Sequence, residues 1–160
     1  MARGWQLQQV QFIPRPISEV FEFFSNAANL ERLTPKTLRF RILTPLPVEM
    51  RKGCVIDYTI RLYGAPIRWR TRIDSYEPEE RFSDTQLEGP YRYWHHLHEF
   101  TSVEGGTRMY DIVDYEVPFG PLGVVARTLF VRRSLEQIFS FRRQAIAEIF
   151  GSEAGNGVLA

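Results

Sequence analysis

Two histidines and one aspartate are the residues of this sequence that are best placed to do chemistry. His96 and His98 alternate with apolar residues, and Asp111 lies in the next segment of alternating character. Residues two apart in a β-strand point to the same face of a sheet, so both imidazoles share the apolar, inward face. A turn at residues 103–106 places Asp111 opposite His98, whereas a shorter turn at residues 105–106 makes the pair diagonal. Either turn brings the carboxylate to the histidines.

Three interpretations are open for this cluster. In the first, which is favoured, the imidazole satisfies a buried carboxylate and the pair is structural. In the second, Asp111 fixes the tautomer of His98 or His96 and raises its pKa, so that the imidazole enolises or dehydrates a carbonyl compound. In the third, His96, His98 and Asp111 bind a metal ion, since the His-x-His spacing separates the two side chains by about 6.6 Å. We predict no metal and no cofactor.

Other polar residues share the predicted inner face, and they indicate a cavity rather than a solid core. Tyr58, Thr71, Asp84 and Gln86 lie in phase with apolar neighbours. Buried polar groups need hydrogen-bond partners, so several of them on one face predict bound water or a ligand, unless they lie at open strand ends. The arginines of the central hairpin and of the C-terminal helix are interpreted as solvent-exposed. These are Arg68, Arg70, Arg72, Arg132, Arg133, Arg142 and Arg143.

Alternation and turn residues predict the elements that position these side chains. A strand at residues 7–13 is followed by two short helices, one on either side of a junction at residues 26–29. Six further strands follow, and a helical period then predicts one long helix over residues 121–150. The six strands are predicted at residues 38–43, 55–63, 67–76, 81–87, 91–102 and 107–117.

Short turns join most of these strands, so consecutive strands pair antiparallel. In the central hairpin a turn at residues 64–65 sets Leu62 opposite Ile67 and Ile60 opposite Trp69, which collects the apolar side chains on one face. One apolar sheet face and one amphipathic helix predict an α+β fold, in which an antiparallel sheet of six or seven strands wraps around the C-terminal helix. The space between sheet and helix is the expected cavity.

The composition indicates one globular domain and excludes several functional classes. The 160 residues are 44% hydrophobic and 24% charged with a formal net charge of +1, whereas nucleic-acid-binding domains usually have a clear basic excess. The single cysteine, Cys54, is interpreted as a packing residue in a reducing, cytoplasmic compartment. Motifs for phosphate binding, dinucleotide binding, serine hydrolysis and zinc proteolysis are missing. We expect residues 1–150 to form the domain and residues 151–160 a flexible tail.

Two stretches of sequence carry a family resemblance. The more specific one is GPYRYWHHLHEFTSVEGGTRMYDIVDYEVPFGPLG at residues 89–123, and IPRPISEVFEFFSNAANLERLTP at residues 13–35 accompanies it. With these motifs the chain resembles the SRPBCC superfamily, also called START-like or helix-grip, and in particular its bacterial polyketide cyclase/dehydrase-like branch. The resemblance covers residues 5–150. It implies a helix-grip fold that binds an apolar or amphipathic small molecule under the C-terminal helix.

The sequence therefore predicts a carrier or sensor of a lipid, a quinone or a polyketide-like compound. The competing hypothesis is a polyketide cyclase, aromatase or dehydratase, in which His98 or His96 is the base and Asp111 orients it. A third hypothesis is a protein-interaction module, supported only by exposed arginines. The predicted lining residues are Tyr58, Ile60, Trp69, Trp94, His96, His98, Met109, Asp111, Tyr115, Val125 and Leu129.

The ligand is expected to reach the cavity when the apolar, glycine-containing segment at residues 119–123 moves away from its mouth. We expect a monomer or a weak homodimer that binds a hydrophobic small molecule. We expect no nucleic-acid partner and no stable membrane insertion.

Overall fold

The structure is a computed structural model, and it describes residues 4–152. Strand β1 (Trp5–Ile13) precedes helix α1 (Ile17–Phe24) and a 3₁₀ helix (Ala27–Leu33). The chain then forms β2 (Arg41–Ile42), β3 (Val55–Leu62), β4 (Ala65–Glu77), β5 (Arg81–Glu88), β6 (Tyr93–Val103) and β7 (Gly106–Glu116). It continues into α2 (Gly120–Ala126), a π-helical turn (Arg127–Val131) and α3 (Arg132–Phe150).

The strands form a single antiparallel sheet in the order β1-β7-β6-β5-β4-β3-β2. Every second residue of β6 from Trp94 to Phe100, and of β7 from Thr107 to Tyr115, is buried, which identifies the inner face of the sheet. Helix α3 packs against this face through Leu135 and Phe139. The α+β fold that the sequence predicts, with a sheet wrapped around a C-terminal helix, is confirmed.

The buried side chains form three clusters. The cluster around α1 includes Phe21, Phe82 and Ile146, and the cluster at the other end of the sheet includes Trp69 and Trp94. A smaller cluster holds Ala27, Ile56 and Ile73. Members of all three clusters line the cavities described below.

Two predicted details of strand pairing have different outcomes. The pairing of His98 with Asp111 is confirmed, because β6 and β7 meet in that register. The turn predicted at residues 64–65 is wrong by one residue, since Leu62 pairs with Ala65 and the turn consists of Tyr63 and Gly64. Both turn residues have positive φ angles, 50° and 80°, as the favoured two-residue hairpin turns require. The correction moves each pair by two positions and keeps every side chain on its predicted face.

Two predicted elements differ from those in the structure. The second strand is only Arg41–Ile42, and the predicted long helix is interrupted by the π-helical turn. Beyond residue 152 the predicted tail lies outside the described residues. Among the helices of residues 4–152, none has the length and apolarity that crossing a bilayer requires.

Candidate functional site

The Asp111 carboxylate is the centre of a buried cluster of charged side chains. Its Oδ1 lies 2.8 Å from His96 Nε2 and 3.1 Å from His98 Nδ1. Arg142 from α3 donates from Nε to Oδ2 at 3.1 Å and from Nη2 to Oδ1 at 3.2 Å. All four residues are buried. The cluster therefore connects two strands of the sheet to the C-terminal helix.

Asp84 on β5 extends the cluster on the other side of His98. Its Oδ2 lies 3.4 Å from His98 Nε2, and its Oδ1 accepts a hydrogen bond of 3.0 Å from Thr71 Oγ1. Each ring nitrogen of His98 thus faces a carboxylate, Asp111 at Nδ1 and Asp84 at Nε2. An ionised carboxylate can only accept hydrogen bonds, so the two carboxylates favour the form of His98 with a proton on both nitrogens, whereas Arg142 Nη2, 3.5 Å from Nδ1, opposes it.

The pKa values of the two neighbouring imidazoles are shifted in opposite directions. Burial alone would lower the pKa of His98, but its contacts with Asp111 and Asp84 raise that pKa above the ordinary value. Burial and the nearby His98 lower the pKa of His96 to about 4, despite its contact with Asp111. At neutral pH His96 is therefore uncharged, with its proton on Nε2 toward Asp111 and an unprotonated Nδ1.

The charges of the cluster balance without a further ion. Burial would raise the pKa of Asp111, but the Arg142 guanidinium and the two imidazoles hold it well below its usual range. In the same way the pKa of Asp84 is lowered, since the contact with His98 outweighs burial. Two carboxylates thus face one guanidinium and one imidazole whose protonated form they stabilise. Such a pairing is the condition under which ionised groups remain buried in a protein.

Asp84, His96 and His98 are the residues that could hold a metal ion. Their ligand atoms lie within 4.8 Å of one another, so Asp84 replaces the Asp111 of the predicted trio. The two imidazole rings are stacked, with centres 3.8 Å apart and planes inclined by 30°. A metal ion would displace the His98 proton and add charge beside Arg142. The trio suits a proton better than a divalent ion.

Two adjoining cavities lie between the sheet and the helices. Their volumes are about 140 and 160 Å³. The first reaches the charged cluster at Asp84 and His98, and the second is bordered by aromatic and aliphatic side chains such as Phe40 and Ile138. The residues that line both cavities are Leu30, Leu33, Tyr58, Trp69, Trp94, His96 and Arg142.

Aromatic rings form most of the wall that the two cavities share. The rings of Tyr58 and Trp69 are nearly parallel, inclined by 15° with centres 5.8 Å apart. Trp94 meets Trp69 edge to face at 5.4 Å, and Tyr91 lies 4.7 Å from Trp94. Such walls offer flat apolar surfaces on which another ring can stack.

The structure brings part of the predicted lining set to these cavities. The predicted residues that line at least one of them are Tyr58, Ile60, Trp69, Trp94, His96 and His98. Asp111 lies behind the two histidines and contacts them without lining either cavity. Met109 belongs to the buried cluster around α1. Tyr115 borders a separate cavity beside β1, and its hydroxyl accepts a hydrogen bond of 3.3 Å from Arg127 Nε.

Val125 and Leu129 are placed away from both cavities, contrary to the prediction. Their side chains are 57% and 59% exposed. The prediction assumed one uninterrupted α-helix packed on the sheet, but the helix is interrupted at Arg127–Val131, and from Gly120 to Val131 only Gly123 is buried, so this part of the helix is largely in contact with solvent. Phe119 and Leu122 are 82% and 78% exposed, so the segment predicted to cover the mouth of the cavity points into solvent.

Arg142 is the site residue that the sequence reasoning missed. It was expected on a solvent-exposed helix face, but it is only 7% exposed. A signal was available, because Arg142 lies three residues after Phe139 and four before Ile146, on the spacing of the buried helix stripe. The prediction gave more weight to the charge of Arg142 than to its position on the helix. The buried Asp111 carboxylate on the facing strand stabilises the guanidinium inside the protein.

Comparisons with known proteins agree with this architecture. The family model described as polyketide cyclase / dehydrase and lipid transport matches residues 13–141. One similar solved structure is Ara h 8.0201, which is 16% identical with a TM-score of 0.65, and the match covers 92% of this chain and 98% of that chain. Another is the Zhui aromatase/cyclase from Streptomyces sp. R1128, which is also 16% identical with a TM-score of 0.65. That match covers 98% of this chain and 100% of that chain. No curated protein matches the chain.

A third similar structure is part of a longer chain. The nucleoside-diphosphate sugar epimerase from Corynebacterium glutamicum shares 23% identity over 89% of this chain, with a TM-score of 0.63. The match covers 28% of the epimerase chain. Identities at this level establish the common fold and leave function open.

Proposed function

Because this chain belongs to the polyketide cyclase / dehydrase and lipid transport family, we propose that it binds a compact, largely aromatic small molecule between its sheet and its C-terminal helix, as a carrier or sensor. The observation that carries this proposal is the pair of adjoining cavities with a shared aromatic wall. An apolar cavity of about 150 Å³ holds one benzene ring, so cavities of about 140 and 160 Å³ suit about two rings.

The size of the cavities favours a compact ligand over a long lipid. Ligand pockets of proteins range from about 300 to about 1,000 Å³, and the two cavities together lie at the lower end of that range. An extended acyl chain or a two-chain lipid would have to displace buried aromatic rings such as Trp69 and Trp94. Quinone-like and polyketide-like aromatic compounds remain the ligand classes that fit without such displacement.

The protonation states support binding rather than chemistry. Both ring nitrogens of His98 face carboxylates, so a proton on either nitrogen points to a carboxylate and not to a ligand. His96 lines both cavities, but with a pKa of about 4 it is a weak base at neutral pH. The remaining charges are paired with one another. The cluster therefore acts as the polar wall of a binding site.

A second candidate function is a cyclase or dehydratase that uses His96. The observation that favours it is the 2.8 Å contact between His96 and Asp111, which orients an imidazole whose Nδ1 holds no proton. Under this hypothesis the wild-type protein converts a poly-β-ketone, and a His96→Phe variant binds the same compound without converting it. Absence of turnover by the wild-type protein toward poly-β-ketones would remove this candidate.

The proposed binding function is tested by blocking the cavities. Leu30 lines both of them, so Leu30→Trp fills their junction, whereas Leu129→Trp adds the same ring to an exposed helix position. The probe is 2-isopropenylnaphthalene, an uncharged two-ring hydrocarbon, in equilibrium dialysis. We expect one molecule bound per chain, an affinity lowered about tenfold or more by Leu30→Trp, and no change with Leu129→Trp. Native mass spectrometry of protein freshly purified from its host identifies the natural ligand.

Two results would overturn the proposal. Equal binding to the wild-type and Leu30→Trp proteins would show that the probe binds elsewhere. Failure of the folded wild-type protein to bind the probe up to its solubility would show that the cavities do not accept a compact two-ring compound. Thermal unfolding of each variant verifies that it is folded.

A further inference from the structure

One buried donor in the aromatic wall has no hydrogen-bond partner. Trp69 is 6% exposed, and its Nε1–H finds no acceptor within residues 4–152. A buried N–H without a partner is destabilising, so proteins rarely retain one unless something else satisfies it. The position of this donor is informative, because Trp69 lines both cavities.

The surroundings of Trp69 define what could satisfy the donor. Its ring is stacked against Tyr58 and meets Trp94 edge to face, so it cannot rotate freely to reach another group. Thr71, two residues along the same strand face, already donates its hydroxyl proton to Asp84. The Asp84 carboxylate contacts Thr71 and His98, and no hydrogen bond joins it to Trp69 Nε1. The missing acceptor is therefore expected to come from a molecule in the cavity.

We propose that the ligand is a two-ring aromatic compound whose carbonyl oxygen accepts a hydrogen bond from Trp69 Nε1. This inference rests on the proposed binding function and specifies the ligand chemistry. A neutral carbonyl suits an indole donor, since the cationic groups nearby, Arg142 and His98, are already paired with carboxylates. A fully ionised ligand would disturb that balance, whereas a ketone or quinone oxygen leaves it intact.

A pair of probes of equal shape tests the carbonyl directly. 2-Acetylnaphthalene and 2-isopropenylnaphthalene differ in one position, where C=O replaces C=CH₂. Both are titrated into the ¹⁵N-labelled full-length protein, whose three tryptophans give three indole signals. The Trp69→Phe variant assigns the Trp69 signal by its loss. We expect the ketone to shift the Trp69 Nε1–H proton downfield and the alkene to leave it without that shift, because only the ketone offers an acceptor.

The affinities provide a second readout with a matched control. Trp69→Phe is expected to lower the ketone-to-alkene affinity ratio by roughly three- to tenfold, the range of one neutral hydrogen bond. Trp5→Phe removes an indole that lines neither cavity and should leave the ratio unchanged. If both probes bind and Trp69→Phe does not change the ratio, or Trp5→Phe changes it equally, the Trp69 inference is wrong while the binding function stands. If neither probe binds the wild-type protein, the binding function itself fails.

Discussion

Arg142 and Asp111 form a bidentate ion pair in the interior of the protein. Two guanidinium nitrogens reach the two carboxylate oxygens at 3.1 and 3.2 Å, and the side chains are 8% and 4% exposed. The ring of Phe24 covers the guanidinium at 5.2 Å. This pair connects α3 to β7. Its Arg142 lines both cavities and gives their otherwise largely apolar wall a charged group. Its loss should therefore affect both stability and binding.

Replacing Arg142 tests the first consequence. Arg142→Met keeps much of the side-chain volume but leaves Asp111 without its guanidinium, and breaking one side of a buried pair costs about 3–5 kcal/mol. We expect a loss of that order in the free energy of unfolding, measured by urea denaturation. The matched control is Arg143→Met, since Arg143 lies on the next helix position and donates at 3.2 Å to the Val10 carbonyl in an exposed contact. Equal losses in the two variants would contradict a special role for the ion pair.

The protonation of the two histidines is open to direct measurement. We expect ¹⁵N NMR near neutral pH to show His98 with both ring nitrogens protonated and His96 as the neutral Nε2–H tautomer. The reason is geometric, because His98 contacts a carboxylate at each nitrogen and His96 contacts one only at Nε2. His95 lies on the opposite face of β6 and serves as the reference signal. A neutral His98 would contradict the charge balance of the cluster.

How much of this site could be predicted depends on what kind of signal each residue carries. The strand period alone placed His96, His98 and Asp111 on one face, because alternation is a local property of the backbone. Asp84 was assigned to the inner face, but its contact with His98 depends on how β5 and β6 pair. In that pairing Asp84 lies opposite His96 and reaches His98 diagonally, and tertiary packing sets it, which no local pattern encodes.

The C-terminal helix shows the limit of periodicity most clearly. The stripe from Leu135 to Ile146 follows the regular helical spacing and was predictable, although the charge of Arg142 concealed its membership. The same spacing fails at Val125 and Leu129, because the interrupted part of the helix ahead of α3 buries only Gly123 and has no apolar stripe against the sheet. Cavity volume and the unpartnered Trp69 donor arise from three-dimensional packing, so no sequence pattern indicates them.

The pH dependence of stability follows from the two shifted histidines. The pKa of His96 is about 4 in the folded protein and about 6.5 when unfolded, so stability is lost as pH falls from 6.5 toward 4. The raised pKa of His98 has the opposite effect, and stability is lost as pH rises above 6.5. The lowered pKa values of Asp84 and Asp111 act only in more acidic solution. We expect the free energy of unfolding to be greatest near pH 6.5.

Two variants separate the acidic and alkaline sides of this profile. His96→Phe removes the acidic decline, which is worth on the order of 3 kcal/mol, whereas His95→Phe on the outer face keeps it. Asp84→Asn removes one carboxylate from His98 and should make the alkaline decline shallower. Urea unfolding at a series of pH values measures both. A profile that keeps the same acidic side in His96→Phe would show that another group is responsible.

The response to zinc tests whether the cluster holds a proton or a metal ion. Asp84, His96 and His98 have the donor types that zinc prefers, so binding to the folded state would raise the unfolding temperature with the logarithm of zinc concentration above its Kd. We expect no such rise near neutral pH, because the ion would have to displace the His98 proton beside Arg142 and coordinate two stacked rings. A rise seen in the wild-type and His95→Asn proteins but absent from His98→Asn would contradict this expectation and identify the cluster as a metal site.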